Sequence, residues 1–495
     1  MNEALQSLRG LQKKLYALNY SGAVIGYDDA TVAPPDSWPG RGEAVSVLSG
    51  MLYELLASPR TAELLDEARR GPLSEVEAAE LDELQRQCDE VCKIPAEEYA
   101  AFAKLANDSQ NAWVKAKRAN DFGAFAPYLE QVVAYCRRAA GYLAPDKAPY
   151  DVWLDRYERG LTMQQADQFF DALQTALVPL VAKVVKAKPP RTDFLSQNWP
   201  LEQQRQLSDH LMQLMTVDRG HCTIGESEHP FTSEFYRGDV RITTHYHPGD
   251  MASSLFSVVH ESGHALYELH IGEELAYTCL SGGASMGLHE SQSRLFENYI
   301  GRSEGFIHAL WPKLNELFCA QLAGVSEQEL YRAVNYVQPS LIRTEADELT
   351  YCLHILVRYR LEKQLINGSL AVKDLPDAWN REMREVLGVE VPDDAHGCLQ
   401  DIHWSMGELG YFPSYALGTA YAAQIMAAMR RELDVDRLTQ QGELAPIVAW
   451  LADHIWKYGK SKSPRWLLEN ACGAPFDPQY FIDYLTEKYT KLYNL

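Results

Sequence analysis

Val258-Val259-His260-Glu261-Ser262-Gly263-His264-Ala265-Leu266-Tyr267-Glu268-Leu269-His270 is the stretch on which the reading of this chain turns. Its run of helix formers, free of proline, predicts one helix, and histidines spaced i, i+4 on a helix leave from the same face. That face can hold a zinc ion. Glu261 points about 100° away around the axis, where a carboxylate can reach water beside the metal without being a ligand. With 14 His in 495 residues, a random chain would show this pattern roughly once in several tens of tries. The surrounding sequence therefore has to carry the rest.

A catalytic zinc needs a third protein ligand. His270 has the spacing of the extended H-E-x-x-H-x-x-G-x-x-H pattern, but that pattern needs a glycine to turn the chain where Tyr267 stands, so His270 is expected on the wrong face. Glu290, in Gly287-Leu288-His289-Glu290-Ser291-Gln292-Ser293-Arg294, is the better candidate. It follows the flexible Ser281-Gly282-Gly283-Ala284 and precedes a helix-like run through Phe296 and Tyr299, so a loop and a second helix can return its carboxylate to the first. His289 is the alternative. Adjacent residues leave a helix in different directions, so only one of this pair should bind.

Outward from this centre, helical periodicity dominates. Leu5, Leu8, Leu11, Leu15 and Leu18 form one apolar stripe, and Ser74-Glu75-Val76-Glu77 is a capping box ahead of Leu81 and Leu84. Leu353, Val357, Leu361 and Leu365 form a stripe that ends at Asn367-Gly368. Between Thr223 and Tyr246 the β-formers Phe231, Phe235, Val240, Ile242 and Thr243 cluster around a turn at Gly238. They predict a small antiparallel sheet just before the zinc helix, which Asp250 would cap. No linker or repeat divides the chain. It reads as a single catalytic unit over 1–495, with a helical lid segment at 1–100 and a sheet and zinc-site core at 223–300.

The net charge of −22 opposes binding to nucleic acid or to an anionic membrane. Nine cysteines fit buried thiols in a reducing compartment, with Cys88 and Cys92 lacking a second pair that would complete a metal site. No secretory signal and no long apolar run is visible, which predicts a cytoplasmic protein.

The HESGH and HESQSR runs resemble the thermostable carboxypeptidase Taq family, the M32 metallocarboxypeptidases. So do His229-Pro230-Phe231, Asp239-Val240-Arg241-Ile242-Thr243, Ile342-Arg343-Thr344-Glu345-Ala346-Asp347, Gln400-Asp401-Ile402-His403-Trp404 and Gly410-Tyr411-Phe412-Pro413-Ser414-Tyr415. The likeness continues from His454 to Tyr489. One departure is Tyr27-Asp28 before Pro34-Pro35, where the family usually has Trp-Asp. The resemblance implies a mainly α, gluzincin-like zinc-peptidase body with a deep cleft and the sheet beside the active site. It also implies broad side-chain tolerance, difficulty with proline, and a homodimer.

A zinc ion on His260, His264 and Glu290, one per chain in a position that cobalt or manganese also suits, would make water acidic enough to deprotonate at neutral pH. Glu261 would take that proton and pass it to the leaving amine. The oxyanion needs a further donor, for which His403, Tyr411 and Tyr415 are candidates, placed near the metal by the resemblance. A terminal carboxylate is best read by a guanidinium. Arg343 is the first choice and Arg241 the second, the structural alternative being an ion pair such as Arg343 with Asp347. His229 and Asp239 would brace the site or orient substrate. The expected activity is removal of C-terminal residues from peptides. Its rivals are an oligopeptidase cutting internally in short peptides and a non-catalytic peptide-binding protein with structural zinc.

Overall fold

The computed structural model describes residues 2–495. The chain forms two units: Met1–Cys92 with Arg191–Val334 and Ile425–Phe476, and Lys93–Pro190 with Asn335–Gln424 and Asp477–Leu495. Both are built mainly of helices, as expected. No helix among the described residues is long and apolar enough to cross a membrane.

In the first unit the opening helix, Glu3–Thr31, buries Leu5, Leu8 and Leu15 against Leu64, Leu65, Leu81 and Leu84. The expected capping box starts the helix Glu75–Cys92. Ser74 Oγ accepts from Glu77 N at 3.3 Å, and Glu77 Oε2 accepts from Ser74 N at 2.9 Å. Such a cap stabilises a helix by about 1 kcal/mol. Of the two cysteines on that helix, Cys88 is buried and Cys92 is exposed.

The sheet lies where the β-formers placed it, but it is mixed rather than wholly antiparallel. Its strands are β1 (Cys222–Glu226), β2 (Thr232–Tyr236) and β3 (Asp239–Thr244), in the order β1-β3-β2. β2 and β3 form the expected antiparallel hairpin, whereas β1 pairs with β3 in parallel. The cause is topological: the chain reverses into β2 and again into β3, and β3 inserts between its predecessors, so β1 and β3 run the same way. The link between β1 and β2 is fastened to β3, with Ser227 Oγ donating to Thr243 Oγ1 at 2.7 Å and Ser227 N to the Thr244 carbonyl at 3.0 Å.

Period-two alternation gives the sheet two different faces. Val240, Ile242 and Thr244, with Thr232 and Glu234 opposite Ile242 and Val240, face the helix Met251–Leu269, to which Thr244 Oγ1 is tied through Ser257 Oγ at 2.6 Å. Arg241 and Phe235 face the opening helix, meeting Tyr20 and Tyr27. Asp250 caps Met251–Leu269 as expected, accepting from Ser253 N at 3.1 Å.

In the second unit the helix Glu348–Asn367 ends at Gly368 as predicted, but it is buried around its whole circumference rather than along one stripe. Arg358, His354 and Glu362 lie fully buried beside Leu353, Val357, Leu361 and Leu365. A helix enclosed on all sides carries no amphipathic signal, so its polar residues could not be assigned to a face from spacing.

Candidate metal centre

His260, His264 and Glu290 come together in the first unit. The two histidines leave one face of Met251–Leu269, and Glu290 comes from the next helix, Met286–Arg294. One donor atom from each lies within 4.8 Å of the others. Glu290 Oε2 stands 3.8 Å from His260 Nε2 and 3.6 Å from His264 Nε2. These separations are too long for hydrogen bonds. They are within a few tenths of an ångström of the roughly 3.3 Å expected between two ligand atoms each about 2 Å from a tetrahedral zinc. Two imidazole nitrogens and one carboxylate oxygen are the donor set of a catalytic zinc, so the residues fit the metal that the motif calls for.

Gly263 explains how the second helix comes so close. A Cβ there would stand 2.7 Å from Ser293 Cα and 2.8 Å from the Gln292 carbonyl oxygen. Both obstacles are backbone and cannot rotate away. Gly263→Ala is therefore expected to lower stability by about 1–3 kcal/mol, the usual cost of overpacking, and to push Glu290 away from the histidines. Thermal unfolding and a metal titration check it; an unchanged melting temperature with unchanged metal affinity would refute the tight contact.

The atoms of His260 and Glu290 turned away from the centre are tied down by groups that sequence reading missed, whereas His264 Nδ1 has no hydrogen-bond partner among the described residues. His260 Nδ1 meets Glu297 Oε2 at 2.8 Å, and Arg294 bridges the two carboxylates, donating to Glu290 Oε1 at 2.7 Å and Glu297 Oε2 at 3.1 Å. Arg302 donates to the other oxygen of Glu297 at 3.1 Å. A carboxylate behind a ligating histidine fixes its tautomer and raises its basicity. Glu297 lies in the π-helical turn Leu295–Gly301 that continues the Glu290 helix, a distortion often found at functional sites.

The electrostatics follow from these contacts. Burial alone would raise the Glu290 and Glu297 carboxyls, but Arg294 and the histidines hold both well below the ordinary carboxylate range. Burial disfavours a charged His260, yet Glu290 and Glu297 outweigh it and push its pKa up. His264, largely desolvated and stacked on His289 at 4.5 Å, is lowered to about 3. Burial pushes the Glu261 carboxyl up, against the pull of His260 and of Thr232, whose hydroxyl donates to Glu261 Oε2 at 2.6 Å.

The remaining candidates are placed as follows. His289 turns from the metal cluster to Glu268 Oε1, at 2.9 Å. His270 stands at the end of the helix Met251–Leu269 with Nδ1 on the Leu266 carbonyl at 2.7 Å, outside the cluster. Arg241 and Asp239 form a fork of two 3.0 Å bonds on the sheet face turned from the helix Met251–Leu269, and Tyr20 donates to Asp239 at 2.8 Å. His229 is exposed in the link between β1 and β2.

The second unit holds another polar cluster. Arg343 donates from Nε and Nη2 to Asp401 Oδ1, at 3.0 and 2.9 Å, and from Nη1 to Tyr351 at 3.2 Å. Its ion pair is thus with Asp401 and not with Asp347. Asp347 instead caps the helix Glu348–Asn367, accepting from Leu349 N and Thr350 N. Arg358 shares Asp401, donating to Oδ2 at 2.7 Å. The rings of His403 and Tyr411 lie 5.5 Å apart, and those of Tyr411 and Tyr415 5.1 Å apart. Burial lowers His403 to about 4, so at neutral pH it is an uncharged imidazole with a single N–H.

Known proteins resemble the chain over nearly its whole length. The family model described as Carboxypeptidase Taq (M32) metallopeptidase matches residues 7–489. The chain is 39% identical over 489 residues to Carboxypeptidase 1 of Bacillus subtilis (strain 168), covering 98% of each. It is 35% identical over 493 residues to Thermostable carboxypeptidase 1 of Pyrococcus furiosus, covering 99% of each. The crystal structure of M32 carboxypeptidase from Deinococcus radiodurans R1 superposes with a TM-score of 0.97 at 36% identity, covering 100% of both chains.

Proposed function

We propose, for a chain that belongs to the carboxypeptidase Taq (M32) metallopeptidase family and is a metal-dependent carboxypeptidase acting on peptides, that His260, His264 and Glu290 hold one zinc ion and Glu261 carries the proton. The observation that supports this most is the convergence of three donor atoms within 4.8 Å, while the opposite edges of His260 and Glu290 are engaged by Glu297 and Arg294. A divalent metal held there supplies Lewis acidity and makes water easier to deprotonate at neutral pH. Glu261 takes the proton of the attacking water and returns it to the leaving amine. Its hydrogen bond from Thr232 keeps the carboxylate from swinging between rotamers during the two transfers. We read cobalt and manganese as substitutes that this donor set also accepts.

His403, Tyr411 and Tyr415 are assigned to the developing oxyanion. The neutral state of His403 supports this, because it can donate a hydrogen bond without giving up a proton. Arg343 is assigned to the terminal carboxylate. A guanidinium has five N–H groups, and the three bonds to Asp401 and Tyr351 leave two for a carboxylate. Arg343 and Arg358 together outnumber the Asp401 carboxylate they share, so an incoming anion is attracted. Asp239 and Arg241 are read as joining the opening helix to the sheet, with His229 orienting substrate at its edge. Residues 1–100 are read as the lid segment, and the protein as a cytoplasmic homodimer of broad side-chain tolerance.

A peptide with an amidated C-terminus tests the reading of Arg343. The amide forfeits at least one charge-assisted hydrogen bond, worth about 1.5–3 kcal/mol, so it should be cut slower than the free acid by roughly 10-fold or more. Mass spectra of the free acid should show a ladder shortened from the C-terminus. Internal fragments from the amidated peptide, formed at the same rate, would favour an oligopeptidase instead.

A further inference from the structure

Glu362 is a fully buried carboxylate that takes no part in the chemistry above. It accepts three hydrogen bonds. Trp404 Nε1 donates to Oε1 at 2.7 Å, while Tyr150 OH and Gly410 N donate to Oε2 at 2.7 and 2.8 Å. Trp404 follows His403 directly and Gly410 directly precedes Tyr411, so the two ends of one loop converge on a single side chain. Gly410 is held from a second side. Its φ is +90°, and a Cβ there would stand 2.8 Å from the backbone of Trp153. Trp153 belongs to the helix Pro149–Tyr157 that also supplies Tyr150.

Burying a carboxylate costs several kcal/mol unless its lone pairs are met. Here burial raises the carboxyl to about 7, against the pull of these donors and of Arg358. A neutral side chain could fill the same space at less cost, but it would not accept from three donors at once. We propose that Glu362 is a positioning residue that fixes the loop between Trp404 and Gly410 so that His403 and Tyr411 meet the substrate in register. The proposal rests on the assignment of those two residues to the oxyanion.

The test uses the metal-loaded enzyme and compares Glu362→Gln, Tyr150→Phe, His403→Ala and the double variant H403A/E362Q. A carboxamide keeps the volume but turns an N–H2 towards a donor. Small misplacement of reacting groups can lower a rate by about 100-fold. E362Q is therefore expected to lower kcat by about 10- to 100-fold with KM within about 2-fold and metal content unchanged, and Y150F to lower kcat several-fold in the same pattern. Groups that act through one another are not additive, so in the H403A background, where only Tyr411 is left to misplace, E362Q should cost at least about 3-fold less than it does in the parent. Y150F decides the matter should E362Q not fold. An unchanged kcat in Y150F or E362Q overturns the proposal, as does a loss that adds in full to that of H403A. If H403A itself keeps full kcat, the oxyanion assignment fails and the proposal with it, whereas a loss in H403A beside an intact E362Q leaves the assignment standing and removes only Glu362.

Discussion

Glu261→Gln is expected to bind zinc as the parent does and to lose about 10²- to 10⁴-fold in kcat, the usual contribution of a positioned acid or base. The carboxamide has the same shape and can still accept from the Thr232 hydroxyl, so the fold and the metal donors are left intact. What it lacks is the ability to hold a proton between two steps. The loss should fall on kcat and kcat/KM equally, because Glu261 is assigned to proton transfer and not to ground-state binding. Burial sharpens the effect. A carboxyl raised by burial is a stronger base than one in water, and a dication beside it pulls the other way, towards the ionised form that accepts the proton. Metal analysis and steady-state kinetics on one preparation check the result. A variant that keeps both metal and turnover would remove Glu261 from the mechanism.

The elements that local spacing controls were legible in the sequence. The i, i+4 histidines, the Asp250 cap, the Ser74-Glu77 box and the Gly368 stop each depend on residues within a turn or two, and each forms as spacing predicts. What spacing could not reach were choices made by tertiary contacts. The strand pattern located the sheet, but alternation is the same for parallel and antiparallel neighbours, so the pairing of β1 with β3 was not encoded locally. Arg343 and Asp347 looked like an i, i+4 pair on one helix. The backbone instead makes a short 3-10 turn at Arg343–Glu345 and begins the helix after Asp347, which turns the two side chains apart.

The groups behind the metal donors were hidden for a similar reason. Glu268, Glu290 and Glu297 are all acidic residues on helices near the histidines, and nothing in their spacing says which serves which. In the structure Glu290 faces both Nε2 atoms, Glu297 takes Nδ1 of His260, and Glu268 takes His289. The close approach that sorts them depends on Gly263. A glycine between the two histidines of the motif was the one sequence signal for it.

Removing the metal should abolish peptidase activity while leaving the chain folded, and the surrounding charges say why. Glu290 and Glu297 are already paired with Arg294 and Arg302, so the site without its ion is not a cluster of bare carboxylates that would repel one another. Unfolding free energy is expected to fall only by what ligand binding contributes, about 4 kcal/mol at a metal concentration near 1,000 times Kd, and the melting temperature with it. Affinity should also depend on pH in one direction. His264, held to about 3, is neutral throughout the working range and binds without releasing a proton. His260, raised by Glu290 and Glu297, must lose its proton to become a ligand. Metal binding should therefore weaken as pH falls through the raised pKa of His260, with one proton released per ion bound on the acid side of it. Competition with a chelator across the pH range, together with activity recovered on adding zinc back, measures both effects. Activity that survives complete metal removal would end the account, and an affinity flat through that range would show that His260 is not a ligand.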